Sequence, residues 1–366
     1  MTPWKELSPK GRRKRLRAIR RQGILALGAC LVLAGAGWGG WSLWRHFFPG
    51  EPDAPAGEIE VLPEIVSPEA PEAPEAPEMP EEPEMPAEPE RPRGPAEITE
   101  ETVTLDGQLG SRWGILVDAD AGVVLAEKGC DEKIYPASMT KVLTLLVAAE
   151  NIPDPQAAFV MTQEIIDPLY RRGATITGIR AGESVTLETL FYGAALRSAA
   201  DATQALAIAA AGSVESFLTL MNDKAAALGL SDLARFTNTS GLFDEGHACT
   251  LRDMAAIMAA AMDNELCARV LSTAEYTSEG TASAPEGLVF ENTLLTWFLE
   301  KQPETAVVSA CKSGYVVQAG NCLVSWGKDE GGRTLVCATA GASRGAVAIR
   351  DHRLLYDQYS GNGQGE

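Results

Sequence analysis

The chain is 366 residues long and carries a formal net charge of −19, enough length for one or two domains and a sizeable core. Residues 1–48 hold ten Lys or Arg against one Glu, residues 49–100 sixteen acids against two Arg, and the remainder thirty-three acids against nineteen bases. The acidic main part argues against nucleic-acid binding, and three histidines with no Cys-x-x-Cys pair argue against a metal site or other cofactor.

Residues 1–22 form a basic segment, and residues 23–44 are uncharged and predominantly apolar. That length spans a bilayer, and Trp38, Trp41 and Trp44 sit at its outer end as interfacial aromatics. The order predicts a retained signal-anchor, basic end inside, with everything downstream outside the cytoplasm. A cleaved secretory signal and lipidation at Cys30 are the competing readings. Residues 45–100 are acidic and Pro/Glu-rich. From Pro68 to Pro95 proline recurs at every third residue, the repeat of polyproline II, so this stretch reads as a solvated spacer with a reach of roughly 150 Å. A tether without special stiffness is the plainer alternative.

Residues 101–360 read as a mixed domain, followed by a short disordered tail at 361–366. Trp113 to Asp118 and Val123 to Ala126 flank Asp120-Ala121-Gly122 as a hairpin. Helical patterns follow after Ser138 and over 187–196, 201–211, 214–228 and 251–262. Strand character returns over 306–312, 321–326 and 334–338, ahead of a closing helix at about 346–359. The three late strands and the hairpin can form one antiparallel sheet, with a cleft where the helical block meets it. Cys311, Cys322 and Cys337 lie in successive strands and can pair across the sheet, but buried thiols are the expected state for all six cysteines beyond the apolar segment. Tyr192 and Trp297 read as core.

Three short motifs carry chemistry. Ser138-Met139-Thr140-Lys141 places a hydroxyl and an amine at i and i+3 on one helix face, so the amine can touch the hydroxyl, and the helix start favours negative charge on that oxygen. This activates serine without histidine, although taken alone it also fits a helix cap and a solvated lysine. Ser198-Ala199-Ala200-Asp201 lies at a break between helices, with Asp201 expected as the N-cap of the following one. Lys312-Ser313-Gly314 ends a strand, where Gly314 admits close approach, Lys312 offers a cation and Ser313 a hydroxyl to a carboxylate. His247, after Asp244 and Glu245, reads as a surface or loop-packing residue.

In this order the motifs form the signature of penicillin-recognising serine enzymes. Over residues 101–358 the chain resembles the serine-type D-alanyl-D-alanine carboxypeptidases, the low-molecular-mass penicillin-binding proteins. The resemblance extends to Asn238-Thr239-Ser240-Gly241-Leu242, the Asp253-Met254-Ala255 helix start, Tyr315 and Ala319-Gly320. It implies an α+β, penicillin-binding transpeptidase/β-lactamase-like fold and removal of the terminal D-Ala from peptidoglycan stem peptides, with β-lactam antibiotics as covalent inhibitors. By that implication Ser138 is acylated, Lys141 takes its proton, and Ser198 bridges to Lys141 and passes the proton on. Lys312, Ser313, Gly314 and Tyr315 hold the substrate, and the Ser138 and Tyr315 N–H groups form the oxyanion hole.

Two departures stand out. The middle motif of the family usually has Asn where this chain has Ala200, and alanine has no amide to orient substrate and lysine, leaving Asp201 or a water to substitute. Ser313 replaces the commoner Thr and keeps the hydroxyl. The second β-rich domain and C-terminal anchor of many members have no expected counterpart after Tyr359, with the N-terminal anchor and spacer in their place. Rival readings are a degenerate stem-peptide binder, motivated by Ala200, and a β-lactamase, against which stands the lack of an extra carboxylate to activate water.

Overall fold

The computed structural model describes residues 94–105 and 107–360. The expected basic segment, the span at 23–44, the spacer up to residue 93 and the tail at 361–366 lie outside the described residues. Among the described residues no single helix is long and apolar enough to cross a membrane.

The chain opens with β1 (Val103–Thr104), β2 (Trp113–Asp118) and β3 (Val123–Lys128), then a 3-10 turn at Ala137–Met139 leading into α1 (Thr140–Asn151). There follow β4 (Ala158–Val160), α2 (Gln163–Arg171), β5 (Ser184–Thr186), α3 (Leu187–Ala195), α4 (Ala200–Ala211) and α5 (Val214–Ala227). Next come α6 (Leu251–Met262), α7 (Glu265–Leu271), β6 (Glu275–Thr277), β7 (Val289–Glu291) and α8 (Thr293–Glu300). The chain closes with β8 (Ala306–Val316), β9 (Gly320–Asp329), β10 (Thr334–Ala342) and α9 (Gly345–Tyr359).

The main sheet runs β1-β3-β2-β10-β9-β8, antiparallel apart from the β1–β3 pair. Strand alternation builds its two faces. Ile115 and Val117 of β2 belong to the large apolar cluster shared with the helices, whereas Leu116 between them joins a second cluster with Phe298 of α8 and Leu355 of α9. The sheet is thus buried on both sides, which explains why its inner strands lack polar alternation. Helix α1 lies inside the larger cluster, buried without a break from Thr140 to Ala148. A helix apolar all round belongs in a core; Lys141 is its one charged intruder there.

The expected hairpin and late strands are observed, and the α+β architecture with them. Cys130, Cys249, Cys267, Cys311, Cys322 and Cys337 are free and buried. Cys311 and Cys337 both register with Ser325, from β8 and β10 on opposite sides of β9. Two strand spacings, about 9.5 Å, exceed the Cα separation of a disulfide. Tyr192 is core, stacked on Tyr276 at 3.8 Å; Trp297 is only half-buried, edge-on to Phe298 at the margin of the second cluster.

Candidate active site

The cleft between β8 and the helical block consists of two adjoining hollows of about 420 and 110 Å³, and Ser138, Ser198 and Tyr315 line both. The bend before Ser138 is sharp: Ala137 holds φ at 48°, a conformation that L-residues adopt only under strain. Ser138 itself sits in the 3-10 turn, and α1 begins at Thr140 rather than at the serine. Lys141, 2% exposed, donates from Nζ to Ser138 Oγ at 2.9 Å and to the Ser240 carbonyl at 2.7 Å. Burial above all, and then the charge of Lys312, hold its ammonium well below the ordinary lysine range, with Asp201 pulling weakly the other way. A lysine so placed favours the free amine, a base in contact with a hydroxyl.

Lys312 projects from β8 into the same space, donating to Ser198 Oγ and to the Ser313 carbonyl, each at 3.0 Å. Burial lowers its pKa to about 8, so it stays cationic at neutral pH. Ser198 stands at the helix break with φ of 60°. Its hydroxyl meets Lys312, and among the described residues no hydrogen bond joins it to Lys141, which differs from the expected bridge. Gly314 is required by proximity: a Cβ there would lie 2.6 Å from Ser138 N and 3.0 Å from the Ala137 Cβ. Tyr315 follows, exposed at the rim.

The third wall is the turn at Asn238–Leu242. Asn238 Oδ1 accepts from Gly241 N at 2.7 Å and Ser240 N at 3.2 Å, while its Nδ2 donates to the Leu242 carbonyl at 2.9 Å. Gly241, at φ 77°, has no room for a side chain, since a Cβ would fall 1.7 Å from the Ala137 carbonyl oxygen. Of the two readings of His247, surface or loop packing, the structure shows packing: it is 2% exposed. Its Nδ1 accepts from Thr237 N at 3.1 Å, which assigns the proton to Nε2, 2.7 Å from Thr140 Oγ1. Burial lowers its pKa to about 4, so it is neutral.

Asp201 is not an N-cap. Ala199 occupies that position without a side-chain bond, and the Asp201 carboxylate is drawn instead to Thr177, accepting from its N–H at 2.9 Å and its hydroxyl at 2.6 Å. It therefore anchors the segment whose Gly173 and Thr175 line the cleft, and it does not stand in for an amide at position 200. Ala200 lines the smaller hollow together with Lys141 and Ser240. Seven residues singled out in the sequence, Ser138, Lys141, Ser198, Lys312, Ser313, Gly314 and Tyr315, thus converge on one cleft. Asn238 and Ser240 stand in the sequence only as part of the resemblance, with no role attached, and the Ser240 carbonyl is not legible there at all: a backbone acceptor leaves no residue-type signal.

A buried amine on a serine that follows a strained turn, beside a cation that can hold a carboxylate, suits acyl transfer from a peptide with a free C-terminus. A family model described as D-alanyl-D-alanine carboxypeptidase matches residues 99–343. The chain is 30% identical over 250 residues to D-alanyl-D-alanine carboxypeptidase DacF of Bacillus subtilis, covering 67% of this chain and 62% of that protein. It is 30% identical over 240 residues to DacA of Escherichia coli, covering 62% and 55% respectively, so it spans under two thirds of the length of either relative. Among solved structures, the Streptomyces K15 DD-transpeptidase shares the fold with a TM-score of 0.60 at 24% identity, over 69% of this chain and 98% of that one. A D-alanyl-D-alanine carboxypeptidase from Mycobacterium tuberculosis gives a TM-score of 0.59 at 26% identity, over 76% and 96%. On the family match over its globular part, the chain belongs to the D-alanyl-D-alanine carboxypeptidase family of serine peptidases, S11.

Proposed function

We propose that this protein removes the terminal D-Ala from peptidoglycan stem peptides through an acyl-enzyme on Ser138. Neutral Lys141 takes the Ser138 proton as Oγ attacks the carbonyl of the penultimate D-Ala. The peptide C–N bond breaks, Lys141 gives the proton to the departing amine, and water then hydrolyses the ester with Lys141 as base; Ser198 enters this transfer only by leaving Lys312 for Lys141 when substrate binds. Lys312 and Ser313 receive the terminal carboxylate. The N–H groups of Ser138 and Tyr315 face the developing oxyanion, a contribution of about 3 kcal/mol per donor. The observation that carries the reading is the 2.9 Å contact between Ser138 Oγ and an amine held well below its usual pKa.

A fluorescent penicillin should label folded wild-type protein at Ser138, and a pentapeptide ending in D-Ala-D-Ala should release D-Ala; Ser138→Ala should do neither. No labelling of folded protein would defeat the proposal. Labelling without D-Ala release would favour the degenerate binder that Ala200 motivates. The proposal extends to placement: residues 23–44 anchor the chain in the cell membrane as a single pass, residues 45–100 act as spacer, and the catalytic part lies on the extracytoplasmic side. Its support is the charge and hydropathy order of the sequence. Alkaline extraction should leave the full chain in the membrane fraction and release a chain lacking residues 1–48.

A further inference from the structure

Position 200 offers Lys141 nothing, yet Lys141 is not short of a polar partner. Its Nζ donates to the Ser240 carbonyl at 2.7 Å, the shorter of its two hydrogen bonds. That carbonyl is held from several sides. Asn238 closes the turn around it through Gly241 N, Ser240 N and the Leu242 carbonyl. Thr144 of α1, one turn beyond Lys141, donates to the Thr239 carbonyl at 2.7 Å. His247 clamps Thr237 with one ring nitrogen and Thr140, the neighbour of Lys141, with the other. The turn is thus tied at two points to the helix that carries the lysine. Ser240, Ala200 and Lys141 line the same smaller hollow.

We propose that the Ser240 carbonyl takes over in this chain the lysine-orienting role for which an amide at position 200 is missing, and that Asn238 and His247 are positioning residues that aim it. The proposal rests on the serine–lysine reading above, deepening it. The carbonyl accepts from Lys141 in either protonation state and more strongly from the ammonium. Losing it lowers the lysine titration midpoint further and lets the amine swing away from Ser138. The other titratable groups that bear on Lys141 are Lys312 on β8, Asp201 on α4 and His247; the substitutions below leave Lys312 and Asp201 in place.

The test uses Asn238→Ser, whose short side chain cannot close the turn, alone and combined with Ala200→Asn, which returns an amide to the hollow. Two readouts are taken: the Lys141 titration followed by NMR of ¹³Cε-labelled lysine, and the second-order rate of Ser138 acylation by penicillin. Asn238→Ser is expected to lower the Lys141 midpoint by about one pH unit and slow acylation about tenfold or more. Adding Ala200→Asn is expected to recover most of both losses, which a general weakening of the fold would not do. If Asn238→Ser does not melt cooperatively, His247→Gln is read by the same measurements, with the same directions and smaller size. A folded variant that keeps the wild-type midpoint and rate, or a loss that Ala200→Asn leaves uncorrected, overturns the proposal. The NMR titration needs no turnover, so absence of penicillin labelling in the wild type would strike the serine reading while the titration still decides this one.

Discussion

Replacing Lys312 by methionine should make the protein more stable at neutral pH while disabling its site. Lys312 is 2% exposed, and burial brings its pKa from the usual 10.5 to about 8. At pH 7 the folded protein therefore retains a charge against a penalty of about 3 kcal/mol. Methionine fills a similar volume with no charge; losing the bonds to Ser198 and Ser313 offsets about 1–2 kcal/mol of the gain. The net is about 1–2 kcal/mol, or roughly 3–6 °C in Tm for a domain of this size. The sign with pH is distinctive. Between pH 8 and 10.5 the unfolded state of the wild type holds a proton that the folded state has released, so wild-type stability rises through that window. The advantage of Lys312→Met should shrink from pH 7 to pH 10 and reverse near the top. Calorimetry of both proteins at the two pH values measures it, and a difference that is unfavourable at pH 7, or constant with pH, would refute the reasoning. In the same preparations, kcat/KM for a peptide ending in a carboxylate should fall by about 100-fold or more.

Gly314→Ala would place a methyl 2.6 Å from Ser138 N; β8 must then retreat, and acylation by penicillin should drop by at least about 100-fold in a protein that still folds. For wild type, kcat/KM on a carboxylate-ended peptide should decline above about pH 8 as Lys312 loses its proton, and a substrate amidated at that carboxylate should not show this alkaline limb. Acid should also unfold the protein early. His247 and His352 have pKa values lowered by burial to about 4 and about 3, against 6.5 unfolded, so the unfolded state takes up protons first. Stability should fall between pH 6.5 and 4 by up to about 2.7 kcal/mol per pH unit from this pair, and urea denaturation of His352→Asn should show about half of that slope.

The sheet was readable from sequence because its strands are short apolar runs bounded by turns, and α1 because its apolar residues leave no polar face. Ser138 and Lys141 were readable as a pair because i and i+3 on a helix meet whatever the fold does. Other features depend on contacts that spacing does not encode. Asp201 looked like a cap because Asp opens many helices, but Thr177, brought in from 24 residues upstream, offers its carboxylate an N–H and a hydroxyl at once. For His247 the sequence leaves surface and loop packing both open, because Asp244 and Glu245 are polar and exposed; the structure decides for packing, the imidazole turning inward to edge-on contact with Phe236 at 5.6 Å. Helix α2 was missed because Pro168 falls within it, where proline normally argues for a break.

Among the described residues, only Ala137 and Ser198 hold positive φ without being glycine. One immediately precedes Ser138 and the other is Ser198, so both backbone outliers shape the wall of the cleft that these two serines line. At about 1–3 kcal/mol each, they draw on a folding margin that in most proteins is only about 5–15 kcal/mol. Selection for robustness and selection for turnover therefore meet at these two peptides. Directed evolution for heat resistance should find relaxing substitutions there early, and those lineages should be the ones that lose catalysis.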